Sequence, residues 1–167
     1  MISVSADFIS YAEYICGLCG GRCCHEAHPP LCEARLKTIL AHGDFRGSIE
    51  YRGYLRLKAG SDGQCVMLSH GRCQIHRFKP ETCSAGPFTF DAKGSVLEIY
   101  LKRETICPLV SYLTANPEAL EAQKKIAIRL FRRLVESLPG EELAHIVLIP
   151  EPETDKVAEI SYHRVLV

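Results

Sequence analysis

Apolar positions recur at helical spacing in one long stretch and break into short runs elsewhere. Over residues 117–138, Leu120, Ala127, Leu130, Leu134 and Leu138 form an apolar stripe. Asn116 stands at the N-cap, Pro117 at N1, Glu118 and Glu121 favour the N-terminal dipole, and Pro139-Gly140 ends the run. A second helix is predicted over 30–42, with Pro30 at N1, Leu36, Ile39 and Leu40 on its apolar face and Gly43 at C′. A short one is predicted over 7–15. Strands are predicted over 49–57, 65–69, 73–76, 87–90, 95–101, 145–149 and 157–165, with turns at Asp62-Gly63, His70-Gly71 and 91–94. The pieces at 65–69 and 73–76 resemble a hairpin. The last strand sets Ile160, Tyr162 and Arg164 against Ser161, His163 and Val165, and its alternation does not choose a buried face.

This mixture predicts an α+β fold, and the 167 residues, 47% of them apolar, suit one small domain with a real core. Twenty basic and twenty acidic residues give zero net charge, which argues against a whole-molecule footprint for nucleic acid. Nine cysteines and no tryptophan stand out. They divide the chain into a cysteine-bearing part, 1–110, and a cysteine-free helix and strand pair, 111–167, that covers the same domain. The first fourteen residues carry Asp7 and Glu13 and lack a basic leader, and no stretch approaches the roughly 20 apolar residues of a membrane span. The expectation is a cytoplasmic protein whose thiols stay reduced, and there clustered cysteines point to metal ligation or thiol chemistry.

Cys16-Gly-Leu-Cys19 brings two sulfurs to one turn, where both can reach one cation, and Gly17, Gly20 and Gly21 free the backbone to offer N–H groups to them. Cys23-Cys24 is a vicinal pair whose side chains are expected to diverge, one sulfur to each of two sites or one to the core. Cys65, Cys73, Cys83 and Cys107 follow. With Cys32 assigned to the core beside Leu36, the remaining eight allow two tetrathiolate zinc sites, or one [4Fe–4S] cluster and four further cysteines.

In order and spacing, Cys16–Cys24, Gly63-Gln-Cys65, Gly71-Arg-Cys73-Gln-Ile-His76, Lys79-Pro80-Glu-Thr-Cys83 with Gly86-Pro87-Phe88, and Cys107-Pro108 resemble the CxxCxxCC or YkgJ-like family of cysteine-cluster proteins. That family is described as zinc- or iron-chelating. The resemblance covers residues 12–110. It implies a zinc or iron centre held by Cys16, Cys19, Cys23, Cys24, Cys65, Cys73, Cys83 and Cys107. A related branch contains flagellin lysine N-methylases, which implies a place beside a protein-modifying partner. The chain departs from the usual pattern in four places: three residues between Cys19 and Cys23, His76 for tyrosine, Lys79 for arginine, and Leu109 for glycine.

His76 is read as packed at a strand end, with a nitrogen ligand or proton carrier as the alternative; His25 and His28 are read as solvated loop or as further ligands. Lys125, Arg129 and Arg132 share a helix face that suits solvent, an acidic partner or nucleic acid. No G-x-S-x-G, Walker A, H-E-x-x-H or radical-SAM cysteine spacing occurs. The leading expectation is a non-enzymatic metal-binding protein with a redox or accessory role for a protein partner. The alternatives are a zinc-stabilised interaction module and a metal- or thiolate-dependent enzyme.

Overall fold

The computed structural model describes residues 6–148 and 153–163, and their helices and strands form an α+β arrangement. Helix α1 (Ala6–Cys19) is longer than expected. It carries both cysteines of the C-x-x-C on its last turn and stops where Gly20 and Gly21 take left-handed φ angles of 69° and 80°. Helix α2 (Glu33–Ala41) starts later than residue 30, because Pro30 bridges to Arg56 and the Leu31 N–H donates to the Leu55 carbonyl at 2.8 Å. The expected strand over 49–57 is a hairpin of β1 (Ile49–Tyr51) and β2 (Leu55–Leu57), reversed at Gly53.

A second hairpin pairs β3 (Leu68–Ser69) with β4 (Arg72–Cys73), and His70 and Gly71 both have positive φ, as a type I′ turn demands. These strands are shorter than predicted, because the chain curls around the sulfurs: the Leu68 N–H donates to the Cys65 carbonyl, and His76 opens a 3-10 turn (His76–Phe78). A single turn, α3 (Glu81–Ser84), follows.

Next come β5 (Phe88–Lys93) and β6 (Val96–Lys102), helix α4 (Leu109–Ala115), helix α5 (Pro117–Ser137), helix α6 (Gly140–Ile146) and β7 (Thr154–Ser161). The sheet order is β5-β6-β7, all antiparallel, with the register slipping between Ile99 and Tyr100. Helix α5 matches its prediction to within a residue. The strand expected over 145–149 is corrected: its described residues up to Ile146 are helical. Glu141 and Glu142 occupy the first turn of α6, and Leu143 and Ile146 lie three apart on a buried face, so helical spacing outweighs local β propensity. Strand β7 starts at Thr154 rather than 157; it buries the face of Tyr162, whose hydroxyl donates to the Gly94 carbonyl at 3.0 Å, and leaves Ser161 and His163 exposed. Arg164 and Val165 lie outside the described residues.

Two cores result. Phe88, Leu97 and Ile99 of the sheet pack with Ala127, Phe131 and Val135 of α5. Leu31, Ile39, Leu57, Cys65, Met67 and Ile75 form the core beneath the cysteine hairpins. Cys32, Tyr54, Leu134, Leu138 and Ile146 join the two halves.

Candidate metal centre

Six segments present the eight cysteines. Cys16 and Cys19 lie three apart on α1 and so share one face. Cys23 and Cys24 sit on a 3-10 turn, Arg22–Cys24, entered through Gly21. Gly21 is needed there twice over: its φ is left-handed, and a Cβ would meet the Leu68 methyls at 2.9 and 3.0 Å. Cys65 precedes β3 and is locked to the first loop by its N–H donating to the Cys24 carbonyl at 2.9 Å. Cys73 ends β4, Cys83 lies on α3, and Cys107 lies just ahead of α4. All nine cysteines are free thiols; Cys23 is exposed, Cys65 and Cys32 are buried, and the other six are half-buried.

The thiols converge on Cys23. Beside burial, which is the largest cause at all but Cys24, its charge helps to raise the thiols of Cys16, Cys24, Cys65, Cys73, Cys83 and Cys107, which places all six within electrostatic reach of one sulfur. Cys19 acts on Cys16 in the same way. The neighbouring Cys23 and Cys24 thiols act on each other, which holds the Cys23 thiol below its ordinary value and Cys24 above. Burial takes Cys83 up to about 12 and Cys107 to about 11. Two cations oppose it: Lys79 lowers Cys16, Cys23, Cys73 and Cys83, and Lys102 lowers Cys23 and Cys107.

Backbone donors point at the sulfurs, but they are not the glycines expected. The N–H of Met67 donates to Cys65, that of Ile75 to Cys73 and that of Leu109 to Cys107, each from two residues further on. The Arg22 N–H donates to Cys19 at 3.4 Å. N–H groups aimed at sulfur favour thiolate, while burial and mutual repulsion oppose eight thiolates together. A bound cation resolves that opposition, and thiolate donors suit zinc or iron, so the donor set fits such a group. Among the described residues, no three His, Cys, Asp or Glu side chains stand ready in coordinating geometry.

The other candidates fall outside this convergence. Cys32 is in the core as expected, at the N-cap of α2, and its thiol faces the buried Glu81 carboxylate at 3.9 Å. Arg35 reaches Glu81 at 3.0 Å, an anchor between α2 and α3 that the sequence reading missed. His76 is buried; burial first, then the Lys79 ammonium, lowers its pKa to about 4, and its Nε2 lies 3.1 Å from Lys79 Nζ. His25 is exposed and bridges to Gln64, while the charged neighbours of His28 are Arg56, Glu50 and Glu26 rather than thiols. Lys79 and Lys102 were also missed; only the position of Lys79, four residues before Cys83, hinted at a cation beside the cluster.

Among the described residues, no helix is long and apolar enough to cross a membrane. No curated protein and no solved structure shows a significant match. One family profile does match, across residues 15–116, and it spans the eight converging cysteines. Its description is "Putative zinc- or iron-chelating domain", and with more than half of the chain inside the match, the protein belongs to this CxxCxxCC family.

Proposed function

We propose that Cys16, Cys19, Cys23, Cys24, Cys65, Cys73, Cys83 and Cys107 hold a zinc or iron–sulfur centre, and that the protein serves a partner protein in the cytoplasm as a redox or accessory component. The observation that carries this reading is the convergence of six chain segments on the Cys23 sulfur, with backbone donors turned toward four of the thiols. A bound zinc would tie these segments together, whereas an iron–sulfur cluster would also accept and release an electron. The chain's own part is to gather the sulfurs, offset their charge with Lys79 and Lys102, and hold them against the Met67 and Ile75 core. The contiguous spread of interactions among the thiols supports one shared region rather than two distant sites. Residues 1–110 then form the metal-binding region, and 111–167 cover it.

Anaerobic purification followed by an optical spectrum and metal and sulfide analysis tests the reading. Brown protein absorbing near about 400 nm, with stoichiometric iron and sulfide, identifies a cluster. Colourless protein with one or two zinc ions, unfolded by a chelator, identifies a structural metal. The reading fails if neither metal is retained and Cys16→Ser and Cys83→Ser leave stability unchanged.

A further inference from the structure

The long helix α5 has two faces of different character. Ala127, Phe131, Leu134 and Val135 are buried, and Gln123 reaches inward to the Ser84 and Gly86 carbonyls at 3.2 and 2.9 Å. At about 100° per residue the opposite line runs through Glu118, Lys125, Arg129, Arg132, Arg133 and Glu136, all exposed. On this helix Lys124 is taken up by Glu121 at 2.6 Å. Lys125, Arg129, Arg132 and Arg133 are in no ion pair among the described residues, although Lys125 lies close enough to Glu121 to be felt by it.

A neutral protein with as many carboxylates as cations has the means to neutralise its surface locally. Here four cations instead repeat at spacings of three and four, where like charges repel each other and weaken the helix. Glu118 and Glu136 close the line at both ends. The run from Lys125 to Arg133 is therefore finite, about 12 Å long at 1.5 Å per residue. A continuous polyanion would meet repulsion at either end of it. A short acidic protein segment, with carboxylates one helical turn apart, matches both its length and its sign.

We infer that the outer face of α5, through Lys125, Arg129, Arg132 and Arg133, is a docking surface for a short acidic segment of a partner protein. This surface is separate from the cysteine cluster and does not depend on which metal the cluster holds. Arginine forks give bidentate contacts to carboxylates, and steering by the four charges makes binding salt-sensitive.

The test uses the full-length protein as purified and a fluorescein-labelled helical peptide with glutamates one turn apart, followed by anisotropy at roughly 50 and 300 mM NaCl. The expected result is micromolar binding at low salt, weakened at least about tenfold by the higher salt and by the double substitution Arg129→Gln with Arg132→Gln. Both side chains are exposed and unpaired, so the double variant should melt no lower than the parent; removing like-charge repulsion should raise the midpoint slightly. Lys37→Gln, which removes an exposed cation on α2, should leave peptide binding unchanged. Absence of peptide binding, or equal binding by the double variant, overturns the inference. Tighter binding of a single-stranded oligonucleotide than of the peptide, dependent on the same two arginines, assigns the face to nucleic acid and also overturns it.

Discussion

Glu98 shows what a single side chain does for the sheet. Its carboxylate accepts from Lys93 on β5 at 2.8 Å, from the Tyr100 hydroxyl on β6 at 2.7 Å, and from Lys156 on β7 at 3.3 Å. These donors, Lys93 foremost, hold its pKa at about 2, below the ordinary 4.5. A carboxylate favoured in the folded state adds stability that is complete above the unfolded pKa and disappears as pH falls through the folded one. Glu98→Gln should therefore lower the thermal midpoint at pH 7, and the gap to the parent should close between about pH 4.5 and 2. A gap that persists at pH 2 would assign the effect to packing. At Gly21, alanine must adopt a left-handed φ and displace the Leu68 methyls, so Gly21→Ala should cost at least about 1–2 kcal/mol in urea denaturation. Gly47, with open space around its Cβ direction and no positive φ, is the control and should tolerate alanine. The glycines around the first cysteines were recognisable in the sequence as special. Which of them would face a side chain was not, because Leu68 arrives from a hairpin about fifty residues away.

Helix α5 illustrates when an element can be read from sequence. Its apolar spacing, Pro117 and Pro139-Gly140 all agree, and tertiary contacts add Gln123, Phe131 and Val135 to the buried side. The short cysteine-bearing elements are different. Their length is decided by hydrogen bonds between loops, such as Cys65 N–H to the Cys24 carbonyl, and local pattern carries no record of those. The order of the eight cysteines was legible; the mutual effect of the Cys23 and Cys24 thiols was not, since it depends on the turn between Arg22 and Cys24. The same holds for the anchor between α2 and α3. Glu81 is 1% exposed, and Arg35 is its charged partner. Arg35→Met would leave that carboxylate buried without its cation, and should cost about 3–5 kcal/mol in equilibrium unfolding. A loss under about 1 kcal/mol would mean that water reaches Glu81 in solution.

For the whole molecule, the arrangement of cores predicts how metal loss spreads. The sheet and α5 have a core without cysteine ligands, whereas the core beneath the hairpins includes Cys65 itself. Chelation should raise amide hydrogen exchange in α1, in the turn at Arg22–Cys24 and in β3–β4, while β5, β6 and α5 keep their protection. Uniform loss of protection would show that the junction at Cys32, Tyr54 and Leu134 couples the halves into one cooperative unit. The α+β class could be inferred from the sequence because helical and strand patterns both occur. The pairing of β7 with β6 could not, because a contact between the end of the chain and its middle leaves no periodic trace in either segment.

The N–H donors at Met67, Ile75 and Leu109 have one more consequence. Each lies two residues after a cysteine, and each side chain is almost fully buried, at 1%, 0% and 4% exposure. One residue thus steers a sulfur with its main chain and fills the interior with its side chain. Substitution by another large apolar residue preserves the steering, whereas proline abolishes it by removing the donor. Tolerance at these three positions is therefore set jointly by volume and by a main-chain requirement, so large apolar replacements are expected to be accepted there and proline is not.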